Sequence, residues 1–103
     1  MFARVVEFSG AAPDKRDQML QVVHENVLPM LRQYDGFGGY IVLHDEANDR
    51  AKAILLWESR EAAESAEETL HDRRRTISAG VGLTIESEDL YEAPVVELEG
   101  APV

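Results

Sequence analysis

The sequence contains no cysteine. That absence removes disulfides and thiolate nucleophiles together, and it makes the cytoplasm the expected compartment. Lysine is nearly missing too, with only Lys15 and Lys52, and ten basic residues face twenty acidic ones for a formal charge of −10. A field of that sign repels phosphate backbones and anionic lipid, so no nucleic acid is expected as a partner; it also suits a solvated surface adapted to high salt. No apolar run approaches the ~20 residues that span a bilayer. The opening MFARVVEFSG puts Arg4 and Glu7 inside its only apolar stretch, so no membrane partner and no export leader are expected. There is no His-x-x-x-His, and the acidic residues fall mostly on outer faces, so no metal site is expected. Gly-x-Gly-x-x-Gly is absent as well, and Gly36-Phe37-Gly38-Gly39 reads as a helix stop followed by a turn.

What is present is a 45% apolar chain of 103 residues, too apolar for disorder and sized for one domain over 1–103. The segment 93–103 reads as an extended C-terminal tail that adds at most a short partner-binding strand. Phe2 to Phe8 alternates, with aromatic and branched residues that suit a pleated surface, and is a first strand. Pro13 fits a first helical position and Asp14 the positive helix end, so a first helix runs from there to about Tyr34, closed by Gly36. Pro29 lacks the N–H that would bond the Glu25 carbonyl, and it should kink or split that helix. Gly38 to His44 and Ala51 to Trp57 form a hairpin around the polar turn Asp45 to Arg50. Ser59 caps a second helix over about 60–76 with Arg73, Arg74 and Arg75 near its end, Ala79-Gly80-Val81-Gly82 breaks it, and Thr84 to Glu92 is the fourth strand.

This order predicts an α+β fold of ferredoxin-like βαββαβ type, a four-stranded antiparallel sheet with two helices on one face. Ile54 and Leu56 oppose Leu55 and Trp57, as Ile41 and Leu43 oppose Val42 and Tyr40, so both sheet faces are apolar. Helices cover one face. The other needs a partner, most simply the same sheet of a second copy, which gives a homodimer.

With Pro29-Met30-Leu31 late in the first helix, Asp35-Gly36-Phe37 entering the second strand and Trp57-Glu58-Ser59 leaving the third, the chain resembles the antibiotic biosynthesis monooxygenase family of the dimeric α+β barrel superfamily over about residues 2–92. The resemblance implies oxidation of aromatic polyketides or degradation of haem without flavin, and in the former case without any metal, so no cofactor is expected. Trp57 matches the tryptophan that closes the third strand. Where the polyketide oxidisers look to have asparagine and tyrosine, this chain has Ala53 and Ala63. The family's strand histidine falls on Leu43, with His44 one place away and on the opposite face. The haem-degrading pattern of asparagine, tryptophan and histidine is not matched: the first strand has no asparagine, and Ser65 and Arg75 stand near the other two places.

At about 100° per residue Asn26 lies within the apolar arc of Met19, Val23, Val27, Met30 and Tyr34 and should point inward, either toward a substrate oxygen or to satisfy backbone near Pro29. Arg73 falls on the inner arc of the second helix with Ala62, Ala63, Ala66 and Leu70, and is either a pocket-mouth anion site or part of a charged helix end. Trp57 is either core or pocket wall. His24, bordering the first helix's apolar arc, is either a base or simply packed, and His71 is on the outer face. Two functions stay open: a cofactor-independent monooxygenase-like protein acting on a small aromatic or enolisable molecule between sheet and helices, or a non-catalytic dimeric module that binds a small ligand or scaffolds.

Overall fold

The computed structural model describes residues 1–100. Strands β1 (Phe2–Ser9), β2 (Phe37–Asp45), β3 (Arg50–Trp57) and β4 (Thr84–Glu92) form one antiparallel sheet in the order β2-β3-β1-β4. The first helical arm runs through a short 3-10 turn, α1 (Arg16–Val22), a π-helical stretch Val23–Val27 and α2 (Leu28–Leu31), and α3 spans Arg60–Gly80. This is the expected ferredoxin-like architecture with both helical arms on one face. Among the described residues no helix is long and apolar enough to cross a membrane.

Register decides which side chains meet the helices. Val6 stands opposite Ala53, and Ala53 opposite Val42; one step along, Phe8 pairs with Ala51 and Ala51 with His44. Because side chains alternate across a strand, this places Tyr40, Val42 and His44 on the face of Ala53, Leu55 and Trp57. Val6, Leu31, Leu55, Trp57, Ala63, Ala66 and Leu70 close the core there. Trp57 is 1% exposed and takes the rings of Tyr34 and Phe37 edge-on at 6.3 and 5.7 Å, a favoured aromatic geometry.

Two helix ends differ from the sequence expectation. As expected, the α-helix of the first arm divides near Pro29, into α1 and α2. Between them the N–H of Leu28 reaches back to the carbonyl of Val23, and this i→i−5 widening lets the chain pass a residue that cannot donate. Helical structure stops at Leu31, before Tyr34. At the other arm, α3 continues past residue 76 to Gly80, because Gly82, not Gly80, supplies the left-handed stop. Its φ is 74°, and the Leu83 N–H returns to the Ser78 carbonyl at 2.9 Å, the Schellman pattern. The three arginines therefore sit inside the helix and not in its last turn, which holds no basic residue.

Gly36 carries a turn that admits no side chain. Its φ is 80°, and a Cβ there would lie 2.6 Å from the Ala62 Cβ. Its carbonyl accepts from the Glu58 N–H at 2.8 Å, so the Asp35-Gly36-Phe37 corner and the Trp57-Glu58-Ser59 corner are built together. Ser59 then caps α3 by accepting from the Ala62 N–H at 3.1 Å. Beyond β4, residues 93–100 form no strand; the remainder of the expected tail, 101–103, lies outside the described residues.

Candidate functional site

Between the first helical arm, α3 and the sheet lies a cavity of about 280 Å³, walled by Phe8, Met19, Val23, Val27, Met30 and Leu70 among others. Its polar side chains come from Arg16, Tyr40, His44, Arg74 and Ser78. A largely apolar cavity with a few convergent polar groups is the usual form of a small-molecule site. The small side chains Ala51 and Ala53 leave the sheet floor low.

His44 is fixed by one bond. A ring nitrogen, Nε2, lies 2.9 Å from the Ala11 carbonyl, and a carbonyl only accepts, so Nε2 carries the proton. In the uncharged ring Nδ1 is then a lone-pair acceptor, and it is buried without a hydrogen-bond partner. Tyr40 lines the same cavity, and burial pushes its hydroxyl up to about 12, against a small opposing effect of Arg74. It stays a proton donor at neutral pH.

Arg74 is the charged group of the interior. Its side chain is 9% exposed, with Nη1 and Nη2 donating to the two Glu67 oxygens at 2.8 and 2.9 Å and Nη1 lying 3.5 Å from Glu88. His71 Nδ1 meets Glu88 at 2.8 Å, and Arg4 Nε lies 3.8 Å from Glu67. Burial raises the Glu67 carboxyl, yet the hydrogen bonds and charge of Arg74, aided by Arg4 and His71, outweigh it and hold it below the usual range. Burial likewise works against the Arg74 cation, and Glu67 and Glu88 more than restore it. Ser78, one turn on, donates its hydroxyl to the Arg74 carbonyl at 2.6 Å.

Glu67, His71 and Glu88 bring ligand atoms within 4.8 Å of one another, a grouping that the sequence reading did not find because Glu88 comes from another element. Two carboxylates there already face two guanidiniums, Arg74 and Arg4. The grouping is an ion-pair network that holds Arg74, and a metal ion would have to displace that cation.

The residues singled out from sequence fall elsewhere. Asn26 is exposed, because each residue of the π-helical stretch turns the chain by less than the α-helical angle and carries position 26 off the inner arc. His24, in the same stretch, is exposed too. Arg73 is exposed and stacks its guanidinium 6.0 Å from the Tyr34 ring centroid, on the flank of α3 that faces the first arm. Trp57 is core and is not part of the cavity wall. His71, expected on the outer face, is half-exposed and bound to Glu88. The strand histidine facing inward is His44, and Leu43 faces away and is 48% exposed. Arg74 had a signal: Ala66, Leu70, Arg74 and Ser78 form one i, i+4 row.

The sequence profile of the antibiotic biosynthesis monooxygenase family matches residues 1–74. The chain belongs to that family. Among solved structures, a monooxygenase of Streptomyces coelicolor in complex with nanaomycin D is 17% identical, covering 96% of this chain and 92% of its own, with a TM-score of 0.68. A cofactor-independent oxygenase from Streptomyces nogalater is 17% identical over 95% of this chain and 97% of its own, TM-score 0.66. HapK from Hahella chejuensis is 10% identical over 98% of this chain and 100% of its own, TM-score 0.71. At these identities the likeness establishes the fold. No curated protein matches the chain.

Proposed function

We propose that this antibiotic biosynthesis monooxygenase family member binds a small aromatic or enolisable molecule in the cavity and oxidises it with dioxygen, using no flavin or metal. The observation that carries the reading is that one apolar cavity is lined by His44, whose Nδ1 lacks a hydrogen-bond partner, by Tyr40, whose hydroxyl is held protonated, and by Arg74. His44 takes a proton from the phenol or its keto tautomer, and Tyr40 and Arg74 stabilise the resulting oxyanion. The electron-rich anion reduces dioxygen itself: a ring CH2 of the keto tautomer and O2 give a ring carbonyl and water.

Oxygen uptake with naphthol as probe, in the presence of a chelator, tests this. The expected result is stoichiometric naphthoquinone and its loss in His44→Gln; binding without uptake would establish the second reading, a non-catalytic ligand-binding module. That reading draws on Ala53 and Ala63, which stand where the polyketide oxidisers look to have polar residues.

The same proposal includes a homodimer in the cytoplasm. Away from the helices the sheet presents Val5, Ile41, Leu43 and Ile54, an apolar face that a second copy would cover. Leu43→Asp should then shift sedimentation toward a monomer, and a wild-type chain that is already monomeric and stable at micromolar concentration would contradict it.

A further inference from the structure

In a chain with twenty acidic and ten basic residues, the described cavity lining includes Arg16, Lys52 and Arg74 and no Asp or Glu. The three cations are not equivalent. Lys52 alternates to the far face of the sheet, where its ammonium meets Glu7 at 3.0 Å, which leaves Arg16 and Arg74 as the cationic side chains of the cavity. Arg74 is matched in charge by Glu67 and Glu88, so the inner end offers N–H donors without net charge, and Tyr40 adds a protonated hydroxyl. That end suits an uncharged or weakly acidic oxygen.

Arg16, at the start of α1, has a looser tie. It meets Glu46 of the β2–β3 turn at 3.2 Å, with side chains 52% and 58% exposed. An ion pair between two half-exposed side chains contributes little and is readily exchanged. Its acidic neighbours Asp14 and Asp17 are exposed and are not part of the lining. Size adds a limit, since about 280 Å³ is about twice the ~150 Å³ cavity that admits benzene.

Resting on the reading of this cavity as the ligand site, we propose that its occupant is a hydroxyarene of one or two rings bearing a carboxylate, the hydroxyl toward Tyr40 and Arg74 and the carboxylate on Arg16 in place of Glu46. The inner donors read the hydroxyl, the apolar walls read the ring, and the outer arginine selects the acid. Glu46 holds Arg16 in the absence of ligand and competes with the incoming carboxylate.

Calorimetric titration of naphthol, of a hydroxynaphthoate with its carboxylate on the ring distal to the hydroxyl, and of anthrol tests each part. Hydroxynaphthoate should bind about five-fold tighter than naphthol, the scale of an exposed ion pair. Arg16→Gln should abolish that preference, and Glu46→Gln should enlarge it. Anthrol should bind about ten-fold more weakly than naphthol, since an extra ring overfills the cavity. Equal affinities for naphthol and hydroxynaphthoate, or a preference that survives Arg16→Gln, would overturn the carboxylate assignment alone. Anthrol binding as tightly as naphthol would overturn the size limit. If none of the three binds, the cavity reading falls and this proposal with it.

Discussion

Replacing Arg74 with methionine is the sharpest test of how the cavity is held. The guanidinium is 9% exposed, and the carboxylates it serves, Glu67 and Glu88, are 20% and 15% exposed. Methionine keeps much of the apolar stem and removes the charge, which leaves two largely buried carboxylates with Arg4 and His71 as their remaining partners. Removing one member of a buried ion pair costs about 3–5 kcal/mol. Arg4 and His71 still face those carboxylates, so the lower end, about 3 kcal/mol, is expected here. At roughly 4 °C or more per kcal/mol for a chain of this size, the melting temperature should fall by about 12 °C or more. Arg73→Met is the control, because Arg73 is exposed and its loss should stay within about 0.5 kcal/mol. Urea titrations of both variants, with Glu67→Met and Arg74→Met/Glu67→Met completing a double-mutant cycle, would measure a coupling of about 1–2 kcal/mol. An Arg74→Met cost under about 1 kcal/mol, or an Arg73→Met cost equal to it, would refute the assignment of Arg74 as the buried cation.

Two further outcomes follow from the same geometry. The Glu67 carboxyl is held below its usual value of 4.5 in the folded chain, so its contribution is complete above that value and is lost as pH falls through the folded-state pKa; Glu67→Gln should therefore show a flatter loss of urea stability than wild type as the pH is lowered below that value. Gly36→Ala combines a φ of 80° with a Cβ 2.6 Å from Ala62 and should cost more than about 2 kcal/mol in urea titration; a loss below about 0.5 kcal/mol would mean that this corner is not tightly packed.

The sheet was legible because its signals are local. Alternation from Phe2 to Phe8, the polar turn before Arg50 and the carboxylate-edged run from Thr84 each specify a strand without reference to the rest of the chain. The site was far less legible, because it depends on angles that local pattern does not give. A uniform helical angle placed Asn26 inward, whereas the response to Pro29 was a widened turn that rotated it out. On α3 an arc drawn broadly enough to include Ala62 admitted Arg73. The buried arginine is its neighbour, chosen by carboxylates that α3 itself, at Glu67, and β4, at Glu88, supply. The family's strand histidine was carried onto Leu43 by resemblance, which set His44 aside as lying on the opposite face. Strand pairing with Ala51 shows that the face of His44 is the one under the helices, and that pairing depends on a hairpin turn whose length varies independently of the strands. The His71–Glu88 contact joins residues 71 and 88 on separate elements, and no spacing rule within one element could reveal it.

The central claim is that His44 Nδ1 is a base facing a ligand whose oxygen Tyr40 and Arg74 receive. The most direct measurement is the absorption and fluorescence spectrum of naphthol bound at neutral pH, which distinguishes naphthol from naphtholate. Wild type should give the naphtholate spectrum, and His44→Gln should bind naphthol but leave it protonated. Naphthol that binds wild type without ionising, or ionises equally in His44→Gln, would contradict the account.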